Sequence, residues 1–394
     1  MSDGPLDGIR VLDFGWTWAG PYCGMILRDL GADVVKIETS QRLDMLRLSG
    51  AFADGVRDHE RSGWYAATNR GKRSITLDLK HPDGRALALE LVKISDAAIE
   101  NFSPGVLSNL GLGYDVLAAV NPKIVLLSLS GYGATGPESS YVAYGDHLTY
   151  ASGLASVIGH PDDGPTPINT FYGDPVAGMY GALAILAALE TGAGIHLEYA
   201  QVEGLLTTMP GAIAQRSQGH EVPRMADKSA TMAPHGFYRC AGDDAWVAIA
   251  VENDEAWAAL RELMAYDGDL TTFAERKAAE SEVDRAVSTW VAPQSPWQVT
   301  ERCQAVGVAA YPMMNSQRLT RDVHLRERDF LQWVHHPVTG PGQVPGVVFR
   351  IGDDGARVRG AAPVMGEHNQ DVLMGLLGLS RVRYDELVTN GVIR

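Results

Sequence analysis

The chain reads as a two-domain α/β protein: a large doubly wound, Rossmann-like domain and a smaller α+β domain. Three observations predict this. Short β-rich runs alternate with helical segments through the first half of the sequence, which implies parallel strands joined by crossover helices. At 394 residues the chain exceeds one ordinary core of roughly 150 residues. Past residue 224 a polar stretch gives way to a hairpin pattern and then to Ala- and charge-rich helical sequence. The expected division is residues 1–224 with 326–394 for the large domain and 225–325 for the small one.

The elements follow in order. GIRVLDF (8–14) is an apolar strand run that ends at Gly15. AGPYCGMILRDLGA (19–32) is a helix, with Pro21 suited to a first turn and Gly31 to a C-cap. DVVKIE (33–38), SITLDL (74–79), DAAIENF (96–102) and KIVLLSLSGY (123–132) continue the strand series, with a helix from Pro82 to Ile94. A long apolar helix spans 174–190, and a strand-like GAGIHLEYA (192–200) precedes a helix over 201–215. GFYRCAGDDAWVAIAV (236–251) is a hairpin turning at Gly242-Asp243-Asp244, and residues 335–351 are strand and turn.

Composition excludes several functions. A net charge of −15 repels nucleic acid and anionic membrane, so neither is expected as a partner. Cys23, Cys240 and Cys303 are far apart and lack a CxxC pair, which argues for packing in a reducing compartment rather than for disulfides or zinc. No metal is expected, because the His and Asp residues lack ligand spacing. The N-terminal MSDGPLDGIR has no basic-then-apolar signal, and the longest apolar stretch, 178–189, is shorter than the ~20 residues a spanning helix needs. A cytoplasmic location is expected.

Ligands of doubly wound sheets bind beyond the carboxyl ends of the strands. The loops there are GWTWAGP (15–21), NFSPGVL (101–107) and GYGATGP (131–137), none of them a GxGxxG fingerprint. Asp174 stands between Gly173 and Pro175 at the mouth of the long apolar helix. Pro175 suits a helix start, Gly173 permits an unusual backbone angle, and Asp is a favoured N-cap. The same carboxylate, held ionised by the helix dipole, can instead act as a covalent nucleophile toward an activated acyl group. Gly178 and Gly181 leave room for a ligand or a neighbouring backbone.

The order VLDFGWTWAGPYCGMILRDLGADVVKIE, NRGKRSITLDLKHPDGRALALELVKISDAAIENFSPGVL, GYGATGP, GDPVAGMYGALAILAAL, APHGFYRCAGDDAWVAIAVENDEAW and GEHNQDVL resembles the family III CoA-transferases (CaiB/BaiF family). These include the formyl-CoA, carnitine and benzylsuccinate CoA-transferases, with α-methylacyl-CoA racemases in the same superfamily. The resemblance runs nearly end to end. It implies that Asp174 is the nucleophile, with Asp146, His147 and Gly173 supporting it. It places Trp16, Thr17, Trp18 and Ala19 by the pantetheine and thiol end of coenzyme A, Leu77 and Lys80 by its adenosine, and Asn101 and Phe102 in contact with it. Lys72 and Arg73 are then candidate phosphate partners, with solvated surface as the bland alternative. No cofactor is bound permanently; coenzyme A arrives as acyl-CoA substrate, with a free carboxylic acid as acceptor. The resemblance implies an interlocked homodimer and allows a heteromer with a homologous subunit. Trp64 and Tyr65 add apolar bulk that favours a larger acyl group.

Two other readings stay open. One is an α-methylacyl-CoA racemase using Asp174 with Asp146 or His147. In YGDHLTY those two are in the reverse of the racemase order, and helical neighbours lie about 100° apart, so only one faces Asp174 well. The other is a non-catalytic CoA-binding subunit, against which the retained Asp174 argues. His235 is read as structural.

Overall fold

The structure is a computed structural model and describes residues 4–166, 168, 170–352 and 356–394. The chain divides into two compact units: Met1–Ala155, Pro167–His220 and His324–Arg394 in one, Ser156–Thr166 and Glu221–Val323 in the other. Relative to the boundaries expected from sequence, the second unit gains the short segment Ser156–Thr166. Arg224 ties this segment down by donating to the Ser156 and His160 carbonyls at 3.3 and 3.2 Å.

In the first unit β1 (Arg10–Asp13), β2 (Asp33–Glu38), β3 (Arg73–Thr76), β4 (Ala97–Glu100), β5 (Val125–Ser130) and β6 (Ile195–Ala200) form one parallel sheet in the order β3-β2-β1-β4-β5-β6. This is the doubly wound order, with its switch point between β1 and β4. The period-2 alternation of strands divides the core. Leu12, Val35, Ile37, Ala98 and Leu126 pack on one face, with Leu91, Val372 and Leu387 of later segments. Val11, Val34, Ala97, Ile99 and Leu127 pack on the other, with Cys23, Leu27, Ala177 and Ile185. The C-terminal helix Arg381–Thr389 therefore closes the first core layer. The hairpin of β10 (Leu331–His336) and β11 (Gly340–Pro345) also belongs to this unit.

The helices Ala19–Asp29 and Gly173–Glu190 lie against each other more closely than bulky side chains allow. A Cβ added at Gly178 would come within 2.8 Å of the Tyr22 ring and 3.1 Å of the Ala19 carbonyl; one at Gly181 would lie 2.8 Å from Leu127. Between a ligand and a neighbouring backbone, the second is what these glycines admit. The long helix is not buried all round: Met179 and Leu183 stay exposed. The helix expected over 201–215 is two, Gln201–Leu206 and Pro210–Ser217, because Pro210 carries no N–H to continue the first.

In the second unit β7 (His235–Arg239), β8 (Trp246–Ala250) and β9 (Ala309–Pro312) make an antiparallel sheet. Trp257, Val283, Val287, Val291 and Cys303 fill its core. Its His235 donates from Nδ1 to the Asp227 carbonyl at 2.6 Å. All three cysteines are buried free thiols. Among the described residues no helix is long and apolar enough to cross a membrane, and no cluster of His, Cys, Asp and Glu is arranged to hold a metal.

Candidate active site

At the switch point the loops after β1 and β4 are tied together. Asn101 accepts from the Trp16 amide at 2.7 Å and donates from Nδ2 to the Trp16 carbonyl at 2.7 Å. Thr17 has φ 56°, a left-handed conformation costly for a β-branched residue. It is held there from below: the Thr17 amide donates to both carboxylate oxygens of Asp44, at 3.0 and 3.2 Å.

Under this loop lies a buried charge cluster. Lys72 Nζ donates to Asp13 Oδ2 at 2.7 Å, to the Pro21 carbonyl at 2.7 Å and to Asn69 Oδ1 at 2.9 Å. Lys36 Nζ lies 3.8 Å from Asp13 and 4.0 Å from Asp44, and donates to the Gly15 carbonyl. Burial alone would raise the Asp13 pKa, but Lys36, Lys72 and the Gly15 amide hold it below the usual carboxylate range. Lys72 is pushed down to about 8 by burial, against the opposing pull of Asp13.

Lys72 is thus no phosphate partner, which corrects the expectation from sequence: all three of its donors are engaged inside the protein. Arg73 is corrected as well. It opens β3, at the end of the strand away from the carboxyl-side loops, and its guanidinium pairs with Asp33. Tyr65 is also structural; it donates to Glu38 at 3.0 Å inside the core. The sequence reading missed Asp13, Lys36 and Asp44. A signal was present: the charges inside the apolar runs VLDF and VVKIE had to be paired once those runs became central strands.

Two adjoining cavities open beside the loops, sharing Trp16, Arg42, Phe102 and Ser103. The first, about 410 Å³, is lined by Phe14, Ile37, Leu77 and Lys80 beyond the ends of β2 and β3. The second, about 240 Å³, brings Trp16, Thr17, Trp18, Asn101, Phe102 and Asp174 together. Trp18, Trp64 and Phe171 form its aromatic wall, with ring centroids 5.2 to 6.0 Å apart. Arg42 sits 5.1 Å over the Trp16 ring, between the two cavities.

Asp174 is the second residue of its helix, not the cap; Tyr172 holds the N-cap position and caps nothing with its side chain. Gly173 does not take an unusual backbone angle. It packs closely instead: an added Cβ would stand 3.1 Å from the Leu205 side chain, which would have to shift by a few tenths of an ångström. A side chain at Gly145 would collide with the Asp174 carboxylate. At 9% exposure that carboxylate is not held ionised, as the helix-dipole argument suggested. Burial, then the like charge of Asp146, raises its pKa to about 7, opposed by the backbone amides of Ala19 and of Asp174 itself. Of the adjacent pair, Asp146 acts on Asp174, whereas His147 is exposed and accepts from the Tyr144 amide through Nδ1 at 3.3 Å. Neither residue lines the cavity.

As a nucleophile Asp174 would react in its ionised form, and turnover would then rise with pH through about 7. Asp146→Asn removes the like charge and is expected to move this limb down by roughly half a unit, less at high salt because Asp146 is exposed. A pH–rate profile of both forms checks it; an unmoved limb would assign the shift to burial alone.

A strained aromatic loop at a sheet switch point and a desolvated carboxylate line one cavity, which adjoins a second. The chain belongs to CoA-transferase family III, whose family model matches residues 6–369. It is 32% identical over 386 residues to a succinyl-CoA–D-citramalate CoA-transferase of Chloroflexus aurantiacus, covering 95% of each chain. It is 31% identical to the beta subunit of a succinyl-CoA–L-malate CoA-transferase of the same organism, covering 99% of this chain and 98% of that one. A solved CAIB/BAIF family protein of Brucella suis superposes with a TM-score of 0.85 at 28% identity, over 95% of this chain and 99% of that one. The protein is accordingly an enzyme of the CoA-transferase type.

Proposed function

We propose that the protein moves CoA from an acyl-CoA donor to a free carboxylic acid through covalent intermediates on Asp174. The observation that carries this is the desolvated carboxylate at the wall of an aromatic cavity adjoining a second, larger one. Asp174 attacks the thioester carbonyl; a C–O bond forms, the C–S bond breaks, and CoA leaves as thiolate. The thiolate attacks the aspartyl carbonyl of the mixed anhydride and releases the donor acid as its carboxylate, leaving an aspartyl-CoA thioester. The acceptor carboxylate attacks that thioester, forming a second anhydride and freeing the thiolate again. Attack of the thiolate on the acceptor's own carbonyl gives the new acyl-CoA and restores the Asp174 carboxylate. Keeping the acyl group covalent prevents loss of the thioester's energy to water.

The raised pKa supports this role, since a poorly solvated carboxylate is a better nucleophile; the Ala19 amide, which pulls the pKa the other way, can stabilise charge on the carboxyl group. The cavity lined by Leu77, Lys80 and Phe102 is assigned to the adenosine end of CoA, and the loop Trp16–Trp18 with Asn101 to its thiol end. Succinyl-CoA, named in two of the relatives, is the proposed donor. The aromatic wall favours an acceptor acid with an apolar body. The proposed assembly is a homodimer; inactivity of the chain alone, restored by a homologous subunit, would replace it with a heteromer.

The test is to incubate the protein with an acyl-CoA, quench, and weigh the peptide containing Asp174. An adduct cleaved by hydroxylamine is expected. CoA binding without an adduct, together with deuterium exchange at the substrate α-carbon, would replace transfer with racemisation. CoA binding with neither would make the chain a silent subunit.

A further inference from the structure

Among the described residues other than glycine, Thr17 is the only β-branched one with φ in the left-handed region. Such outliers persist only where the surroundings impose them, and they gather at functional sites. The surroundings here are buried and specific. Asp44, 4% exposed, accepts through Oδ1 from the Thr17 amide at 3.0 Å and from the Leu46 amide at 2.9 Å. Lys36 Nζ stands 4.0 Å from the other Asp44 oxygen and donates to the Gly15 carbonyl, on the far side of Trp16. The Thr17 hydroxyl donates to the Trp16 carbonyl at 2.6 Å, the same carbonyl that Asn101 holds.

The strained turn separates two tryptophans with different surroundings. Trp16 lines both cavities, whereas Trp18 lines the one that contains Asp174 and not the other. The Trp18 ring lies 5.2 Å from that of Phe171, three residues before Asp174. Ala19 follows at once and opens the helix that packs on Gly178. With Thr17 at an ordinary negative φ the chain would leave the turn in another direction, and Trp18 and Ala19 would no longer meet the start of the Asp174 helix. Asp44 itself lines neither cavity, so any effect it has on the reaction passes through this turn.

We infer that Asp44 is a positioning residue for the reaction: its carboxylate holds Thr17 in the left-handed turn and thereby sets Trp18 and the Ala19 amide against Asp174. This rests on acyl transfer at Asp174 and adds a residue that acts on that site from outside the cavity. Misplacing a reacting group by about 1 Å costs on the order of a hundredfold in rate, so a tether of this kind has a kinetic signature as well as a structural one.

The experiment measures kcat, CoA affinity and the pH–rate limb near 7 in Asp44→Ala, in Asp44→Asn and in Asp44→Ala combined with Thr17→Gly. Asp44→Ala is expected to lower kcat by roughly tenfold to a hundredfold while CoA affinity is kept. The limb is expected to move up, because the Ala19 amide that favours the ionised carboxyl group is withdrawn. Loss of the Asp44 charge alone would move the limb down. Asp44→Asn keeps an oxygen for the Thr17 amide and is expected to recover most of the rate. Thr17→Gly is expected to recover part of it in the alanine background, since glycine takes the left-handed turn without a tether. If the alanine variant does not fold, Asp44→Ser takes its place: serine still caps the helix Met45–Leu48 but is shorter and has one oxygen. A limb that stays or falls, a loss of stability with kcat intact, or no recovery by either asparagine or glycine overturns the inference. The Asp174 adduct is measured in parallel. A wild-type protein without an adduct overturns the acyl-transfer reading and this inference with it; a wild-type adduct with any of those three outcomes overturns the role of Asp44 alone.

Discussion

Asp174→Asn is expected to abolish transfer while making the protein more stable above neutral pH. Loss of a covalent nucleophile costs on the order of 10⁴–10⁶ in turnover. The stability gain comes from the same desolvation. The pKa of Asp174 in the folded chain is about 7 against an ordinary 3.8, so the folded state binds the proton more tightly than the unfolded state. The resulting stability is complete below about pH 4 and is lost as pH rises to about 7. Three units set an upper limit of about 4 kcal/mol, and partial solvation brings the expected loss nearer ~2 kcal/mol. Asparagine has the same shape and no proton to lose. Urea unfolding at pH 4 should find the two forms alike; at pH 8 the variant should be the more stable. Equal stability at both pH values would show that the carboxylate is not strained by burial.

Lys72→Met is expected to cost about 3 kcal/mol, toward the lower end of the range for breaking a buried ion pair. It strips Asp13 of its closest counter-ion and leaves the Pro21 carbonyl and Asn69 without their donor. Lys36, 3.8 Å away, compensates in part. Adding Asp13→Asn should recover some of the loss, since the uncompensated charge goes with it. A double-mutant cycle on urea midpoints measures the coupling. A loss no greater than that of a typical surface substitution would mean that the ammonium lies in water, as a phosphate-binding lysine would.

These two residues mark where the sequence was and was not informative. Asp174 stood out because glycine, aspartate, proline and an apolar run meet at one point. The strands were equally plain: apolar runs such as KIVLLSLSGY, each closed by a turn residue, could hardly be anything else once helices separated them. What a linear reading lacks is the neighbour across the sheet. NRGKRS looks like a basic surface loop until β2 and β3 pair and carry Lys72 under the Ala19–Asp29 helix to Asp13, 59 positions away. The environment of Asp174 was misjudged for the same reason. The helix start is local and argued for an ionised carboxylate; the burial and the Asp146 charge that oppose it are tertiary. The break before Pro210 was in plain view and was passed over for the apolar pattern around it.

The contact of Gly178 with the Ala19–Cys23 backbone has a mechanical consequence. The two helices it joins carry, at adjacent ends, the Asp174 carboxyl group and the Ala19 amide that acts to lower its pKa. The pair meets there through main chain and the edge of the Tyr22 ring, which makes a stiff bracket. The spacing between the Asp174 carboxyl group and the Ala19 amide is then set by this helix contact, and the residues lining the cavity can vary without retuning it.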